Sequence, residues 1–180
     1  MYTFQYQLND GDYFEYNLYH NYTLPKFRKR LVMQRFLIPV LYMVLAFFLG
    51  MQADDPVIMY AVFGIASVIW ILIYRKLIEW NIRKSIKMMK QSGKTPYDKA
   101  ITLVFGEDKI TETTKDTENS VGYAALEKMV QGENALYLYV NAIGAQILPY
   151  RAFASDEEKE AFLQFIKGKT NAELIPGRVR

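Results

Sequence analysis

The sequence contains no cysteine and a single histidine, His20. The missing thiol excludes disulfides, thiolate metal sites and cysteine nucleophiles. Because a metal site needs several converging ligands, we expect His20 to be a capping or surface residue after a helix rather than a ligand. There is also no glycine-rich phosphate loop, no metal-spaced pair of histidines and no nucleophile elbow. We therefore expect a protein that is not an enzyme and that carries no cofactor and no metal.

Formal charge is missing from two long stretches, residues 36–53 and 56–74, which are separated only by Asp54 and Asp55. As a helix each stretch would measure about 27 to 29 Å, close to the roughly 30 Å of a bilayer's hydrocarbon core. A chain of 180 residues is too small to bury two helices that are apolar on all sides. The pattern predicts two transmembrane helices joined by a tight turn, in which Asp55 caps the second helix and Pro56 is its first residue.

Basic residues flank this apolar block at both outer ends. Because positive flanks stay in the cytoplasm, the pattern predicts a multi-pass protein of the inner membrane with both termini cytoplasmic. We expect these side chains to contact a bilayer with anionic headgroups, and we expect no nucleic-acid partner. Membrane topology alone accounts for the charges, and regulated recognition of a lipid is the alternative. The predicted interface residues are Lys26, Arg28, Lys29, Arg30 and Arg35 before the first span, and Arg75 and Lys76 after the second.

Small residues form a stripe on each predicted span. Ala46 and Gly50 lie one turn apart on the first helix, and Ala61, Gly64 and Ser67 lie on the second. Such stripes permit close approach of two helices, either within the hairpin or between copies of the chain. Neither span contains an ionisable residue, which argues against a proton relay or an ion path through the hairpin.

The amino-terminal residues show two successive patterns. Apolar and polar residues alternate from Tyr2 to Leu8, as in a strand with one buried face. Asn9 or Asp10 can then cap a short helix that extends to about Tyr19. The alternation does not reveal which sheet the strand joins, and pairing with strands near the carboxyl terminus is left open.

From about Ala100 the sequence changes to short strands separated by turn residues. Strands are predicted over 100–105, 109–114, 120–123, 126–131, 135–140 and 145–148. Ser155 and Glu158 form a capping box that opens a final helix, which ends at Gly168. Tyr137, Tyr139 and Tyr150 are candidates for a ligand groove, with half-buried packing as the alternative. The predicted fold class is a membrane α+β protein: a two-helix transmembrane hairpin plus a small antiparallel β-sheet capped by a carboxy-terminal helix.

The whole order resembles the YcxB-like family of bacterial membrane proteins. The resemblance rests on Asp12 to Phe14, on Asn17 to His20, on the basic segment and the two spans, and on residues 147–153 with the final helix. The carboxy-terminal part is also similar to bacterial pleckstrin-homology-like modules, in which a proline, a basic residue and a phenylalanine lead from the last strand to the helix. Here Pro149, Arg151 and Phe153 match. The resemblance implies a compartment and a fold but no catalytic residue.

These patterns predict four regions along the chain. They are a strand and short helix over 1–25, the basic segment, hairpin and helical extension over 26–94, a YcxB-like, pleckstrin-homology-like domain over 95–170, and a flexible tail over 171–180. We expect a membrane-tethered interaction or regulatory module that binds a peptide, a protein partner or a lipid headgroup, or that associates with itself. The alternatives are a small oligomeric transporter or pore subunit and, third, a lipid enzyme that would depend on His20.

Overall fold

The computed structural model of the protein describes residues 1–93, 95, 97, 99–141 and 144–177, without the side chain of Lys26. The chain divides into two compact units. Met1–Tyr19 and the chain from Met88 onward form what we call the sheet unit, and His20–Lys87 form the helix unit. The helix unit is therefore an insertion into the sequence of the sheet unit.

The first sheet of the sheet unit contains the amino-terminal strand. Its strands pair antiparallel in chain order: β1 (Tyr2–Gln7), β2 (Ala100–Phe105), β3 (Lys109–Thr113) and β4 (Glu118–Gly122). The predicted alternation in β1 is real, because Phe4 is buried while Thr3 and Gln5 are exposed. Tyr2 lies opposite Phe105 and Gln7 opposite Ala100. The question that the sequence left open is thus answered: the amino-terminal strand joins the carboxy-terminal sheet.

The second sheet has four strands in the order β7-β6-β5-β8: β7 (Ala145–Pro149), β6 (Ala135–Tyr139), β5 (Lys128–Gln131) and β8 (Glu173–Pro176). Three of them pair antiparallel, and β8 pairs with β5 in parallel. The prediction of a flexible tail from residue 171 is wrong for residues 173–176, because their backbone is hydrogen-bonded to β5. Residues 178–180 of that tail lie outside the described residues.

One aromatic core joins the two sheets to the final helix, α4 (Asp156–Lys169). The Phe162 side chain is fully buried, and its ring centroid lies 5.2 Å from that of Phe4 and 4.7 Å from that of Phe105. One half of the predicted capping box forms, since the Glu158 amide donates to Ser155 Oγ at 3.2 Å. The Glu158 carboxylate accepts from the Ala154 amide, at 2.7 Å, one residue before the predicted partner. The predicted fold class, α+β with a two-helix hairpin, is confirmed.

Two long helices make up most of the helix unit. They are α2 (Pro25–Gly50) and α3 (Pro56–Gln91), and a shorter helix, α1 (Asp10–Thr23), precedes them. The predicted cap forms, because Asp55 Oδ1 accepts the Val57 amide at 3.0 Å. The first span differs from its prediction at both ends: the basic segment already belongs to α2, and the helix stops at Gly50 rather than residue 53. Likewise α1 continues past Tyr19 to Thr23.

The contacts between α2 and α3 are those of an antiparallel pair. Gly50 faces Pro56, and the ring of Tyr42 lies 6.1 Å from that of Phe63. At the other end, Arg35 Nη2 donates to the carbonyl of Ile71 at 3.1 Å. Of the small residues, Ala46, Gly50 and Ser67 are buried, whereas Ala61 is exposed and a Cβ at Gly64 would meet nothing within 4 Å. Packing within the hairpin therefore uses part of the predicted stripe.

Both helices are long and apolar enough to cross a membrane. The candidate spans are Phe27–Gly50 and Pro56–Gln91, and in each the most apolar window is only 11% buried. A helix in the core of a soluble protein would be mostly buried, so the exposed apolar surface of these helices suggests association with a membrane.

Candidate functional site

The start of α1 carries a reciprocal cap that places one carboxylate inside the sheet unit. The Asn9 amide donates to Asp12 Oδ2 at 2.7 Å, and the Asp12 amide donates to Asn9 Oδ1 at 3.0 Å. This exchange satisfies two backbone donors that a helix terminus leaves unpaired. The Asp12 side chain is only 5% exposed, so it requires a cationic partner.

Arg151 is that partner. It lies in a 3-10 turn, Tyr150–Ala152, between β7 and α4. Its Nη1 donates to Asp12 Oδ1 at 2.6 Å and its Nη2 to Asp12 Oδ2 at 2.5 Å. Nη2 also donates to the carbonyl of Gln7 at the end of β1, at 2.9 Å. The guanidinium thus holds the amino-terminal strand and helix to the turn that leads into α4, and we call this arrangement the Asp12–Arg151 clasp.

The clasp is a two-pronged ion pair between one buried and one half-exposed group. Hydrogen bonding to Asp12 raises the pKa of the Arg151 guanidinium above its usual value, so Arg151 keeps its charge across the physiological range. Two parallel hydrogen bonds between a guanidinium and a carboxylate are stronger and more specific than a single contact. These contacts join three parts of the chain, so the clasp acts as a structural fastener.

A second polar cluster ties the two chain segments of the sheet unit together. Lys90 Nζ lies 3.2 Å from Asp10 Oδ2, and the Tyr97 hydroxyl donates to Asp10 Oδ1 at 3.2 Å. The rings of Tyr13 and Tyr97 stack at 4.7 Å. The segment that precedes the helix unit and the segment that follows it are therefore bound to each other side by side.

Two of the three tyrosines predicted as a candidate groove are not accessible. Tyr137 is 2% exposed and Tyr139 is fully buried, because α1 lies over their face of the second sheet. The ring of Tyr16 lies 5.6 Å from that of Tyr137, and Tyr19 lies 5.8 Å from it. Burial raises the pKa of both sheet tyrosines. The packing alternative therefore describes these two residues, since the amino-terminal helix occupies the surface that a ligand would need.

Tyr150 is half-buried and lies at a separate place. Its hydroxyl donates to the carbonyl of Gly132 at 3.2 Å, and Lys159 Nζ lies 5.3 Å from its ring centroid. Burial raises the pKa of Tyr150 to about 12. The hydroxyl is consequently a neutral hydrogen-bond donor at physiological pH, engaged with the backbone of its own unit.

The predicted basic interface residues fall into two groups within the helix unit. All the described members are exposed. Arg35 and Arg75 also have partners within the unit: Arg35 donates to the Ile71 carbonyl, and Arg75 Nε lies 3.2 Å from Glu79. The other described members are Arg28, Lys29, Arg30 and Lys76. Lys26 belongs to the first turn of α2, and its side chain lies outside what the structure describes.

The expectation for the position of His20 is wrong in two respects. It is 8% exposed and lies within α1, where its ring is 5.1 Å from that of Phe27. It is therefore neither a surface residue nor a residue that follows the helix, because α1 continues beyond it. Among the described residues there is no group of three or more histidine, aspartate or glutamate side chains placed to hold a metal ion.

The Asp12–Arg151 clasp is the arrangement that sequence reasoning missed. Both residues belong to the stretches that carry the family resemblance, but their separation of 139 positions gave no reason to pair them. One signal was present. Arg151 is the single charge in the otherwise apolar run from Ile147 to Ala154, and such a lone charge beside a core needs a partner.

A comparison with protein families identifies the carboxy-terminal region. Residues 105–166 match the family model described as YcxB-like protein. This segment is similar to the YcxB-like family. No curated protein and no solved structure matches the chain. The predicted resemblance is thereby confirmed for these residues, over a shorter part of the chain than the sequence suggested.

The YcxB-like segment begins at the last residue of β2 and ends inside α4. It includes Arg151 but neither Asp12 nor β1, both of which complete its fold. The segment and the two candidate membrane helices together are consistent with a membrane protein.

Proposed function

We propose that the protein is a membrane-tethered, non-catalytic interaction module, in which a pleckstrin-homology-like sheet unit is held at the cytoplasmic face of the inner membrane. The observation that carries the proposal is the pairing of β1 with β2. These strands are neighbours in one sheet, yet the whole helix unit lies between them in sequence.

That pairing limits the membrane topology. Both ends of the inserted hairpin belong to one folded sheet unit, so both must lie on the same side of a bilayer. Two spans satisfy this requirement and a single span does not. The basic residues that flank the spans then favour the cytoplasmic side, with Asp54 and Asp55 at the opposite surface.

The module would act through effective concentration. Attachment at both ends restricts a sheet unit to a thin layer beside the bilayer, where contacts too weak to persist in solution become occupied. The architecture supports a pleckstrin-homology-like assignment, because seven strands in two sheets are followed by one helix packed on their core, and β8 joins the second sheet after that helix. The partner in this proposal is a membrane-associated protein or a second copy of the chain.

The oligomeric transporter or pore subunit stays a prediction. Two helices cannot enclose a path alone, and the contacts of Ala46, Gly50 and Ser67 are used within one hairpin. The interaction module is favoured because most of the described chain outside the hairpin builds an ordered, well-packed sheet unit.

Photocrosslinking in native membranes tests the module. A photoreactive residue at Asn119, which is exposed on the edge strand β4, is expected to give an adduct of discrete mass with a partner or with a second copy. The adduct should be lost when membranes are dissolved and diluted in detergent, because the tether no longer concentrates the partners.

The matched control places the same photoreactive residue at Asp54, in the turn between the spans. That position should not give the Asn119 adduct, since it is proposed to face the opposite surface. Absence of a protein adduct from Asn119 and from the other exposed positions of the sheet unit would refute the module.

A further inference from the structure

A pocket of about 470 Å³ lies at the corner where α1 ends and α2 begins. It is lined by Thr23 of α1, by Pro25 at the start of α2, and by four residues that follow along α2: Arg28, Lys29, Val32 and Met33. All of these residues belong to the helix unit. The lining residues that the structure describes include two cations and no carboxylate, so the pocket attracts an anion.

The four α2 residues share one face of the helix. Arg28 and Val32 are four positions apart, as are Lys29 and Met33, so each cation lies one turn before an apolar side chain. Val32 is 49% exposed and Met33 57% exposed. The wall therefore changes from cationic to apolar over about 5 Å along the axis of α2, which fits an amphiphile better than a soluble anion.

A second groove continues along the same helix. Its volume is about 590 Å³, and its lining is almost entirely apolar: Pro39, Val40, Met43, Val44, Phe47 and Phe48 of α2, with Ser67 of α3. Lys29, Met33, Phe36 and Val40 follow one another at spacings of four, three and four residues, which keeps them on one face. The distance from Lys29 to Val40 is about 16 Å along the axis. This is close to half of the roughly 30 Å hydrocarbon thickness, the depth reached by one acyl chain.

We propose that the helix unit binds one anionic phospholipid along α2, with its phosphate between Arg28 and Lys29 and an acyl chain in the groove that begins at Pro39. The inference rests on the proposed membrane placement. A second copy of the chain is a poorer occupant, because a symmetric dimer in a bilayer would bring both pairs of cations to the same depth and oppose them.

Retention of added lipid by the full-length protein in mild detergent, followed by native mass spectrometry, tests the site. Phosphatidylglycerol is expected to be retained in preference to phosphatidylcholine. The double substitution Arg28→Gln with Lys29→Gln should lower phosphatidylglycerol retention about 30-fold, since each cation near an anionic headgroup contributes about fivefold. Exchanging the two cations, Arg28→Lys with Lys29→Arg, should preserve retention. That result would show that the pocket between α1 and α2 tolerates substitution when its charge is kept.

The control removes the same charge elsewhere in the helix unit. Lys84→Gln with Lys87→Gln changes two exposed lysines of α3 and should leave retention within about twofold. An equal loss in this control would mean that the lipid responds only to net charge, and equal retention of the two lipids would mean that there is no anion site. Either result would overturn the proposal.

Two further experiments distinguish a bound phospholipid from bound free phosphate and test the contact with the acyl chain. Inorganic phosphate at matched ionic strength should not displace phosphatidylglycerol, and displacement would identify a site for free phosphate instead. Val40→Trp fills the apolar groove and should lower retention about tenfold, whereas Leu72→Trp, at an exposed position of α3 outside both grooves, should not. Equal retention by both variants would contradict the acyl-chain contact. A negative result in the lipid experiments would not change the expected crosslink from Asn119. The phospholipid site and the interaction module are therefore tested independently.

Discussion

Breaking the Asp12–Arg151 clasp should loosen the sheet unit at the junction between its two chain segments. Asp12→Ala removes a buried carboxylate that accepts from Asn9 and Arg151, and Arg151→Met removes three hydrogen bonds while keeping much of the side-chain length. Hydrogen bonds to charged groups are worth about 1.5 to 3 kcal/mol each. The Arg151 side chain is 45% exposed, so solvent screening lowers the interaction energy between Asp12 and Arg151. We expect a coupling energy of about 2 kcal/mol.

A double-mutant cycle on the full-length protein measures this coupling. The free energy of opening is obtained from hydrogen exchange of backbone amides in β1 and β6, for both single variants and for the double variant. The cycle cancels the loss of the helix cap, which both Asp12→Ala backgrounds share.

The matched control is the ion pair between Lys99 and Asp116, also in the sheet unit, whose side chains are 48% and 54% exposed. Its coupling energy should be under about 0.5 kcal/mol. If the clasp couples no more strongly than this exposed pair, then its role as a fastener between β1, α1 and the turn before α4 is refuted.

Three substitutions test other features of the sheet unit by thermal or denaturant unfolding of the full-length protein. Phe162→Ala should destabilise by about 3 to 5 kcal/mol, because it empties the centre of the aromatic core; a loss under about 1 kcal/mol would contradict that core. Gly132→Ala should destabilise by about 1 to 3 kcal/mol, since the new Cβ would lie 2.8 Å from both the Ala135 oxygen and the Tyr137 ring; Gly168→Ala, where a Cβ meets nothing within 4 Å, should cost nothing. Burial raises the pKa of Glu112, so its charge opposes folding above that pKa; Glu112→Gln should be more stable than wild type at neutral pH, and the difference should shrink as the pH falls through the carboxyl range. A difference that grows on acidification would show that the sign is wrong.

The hairpin could be predicted because its signals are local. Each signal can be recognised from neighbouring residues alone. These signals are the uncharged stretches, the pair Asp54 and Asp55, and Pro56 at the helix start. The end of α2 was harder to predict, since residues 51–53 are as free of charge as the helix itself. Absence of charge defines what can enter a bilayer, but the helix ends where its hydrogen-bond pattern ends.

The strands of the sheet unit could be predicted from the sequence, but which strand pairs with which could not. The alternation from Tyr2 to Gln7 indicates a strand with one buried face, but a pattern of period two carries no information about the partner strand. The strand β8 was missed because Glu173–Pro176 is short and follows a helix that had seemed to end the fold. Its parallel pairing with β5 depends on a path around α4 that sequence periodicity does not encode.

The candidate site shows the same limit. The sequence indicated tyrosines on one face of β6, and that face is correct, because Tyr137 and Tyr139 pack in a different cluster from Leu136 and Leu138. It could not indicate that α1 covers them. Tyr16 and Tyr19 lie more than 100 positions away from Tyr137 in the sequence, so their contact with that face is long-range.

Accessibility of single cysteines tests the account's central claim most directly, because the natural chain has none. Asp54→Cys and Glu133→Cys, both at exposed positions, would be treated in intact cells with a maleimide that cannot cross the membrane. The account predicts labelling of Asp54→Cys at once and of Glu133→Cys only after permeabilisation. Labelling of Glu133→Cys in intact cells, or equal protection of both positions there, would contradict a hairpin that crosses the bilayer twice and returns to one sheet.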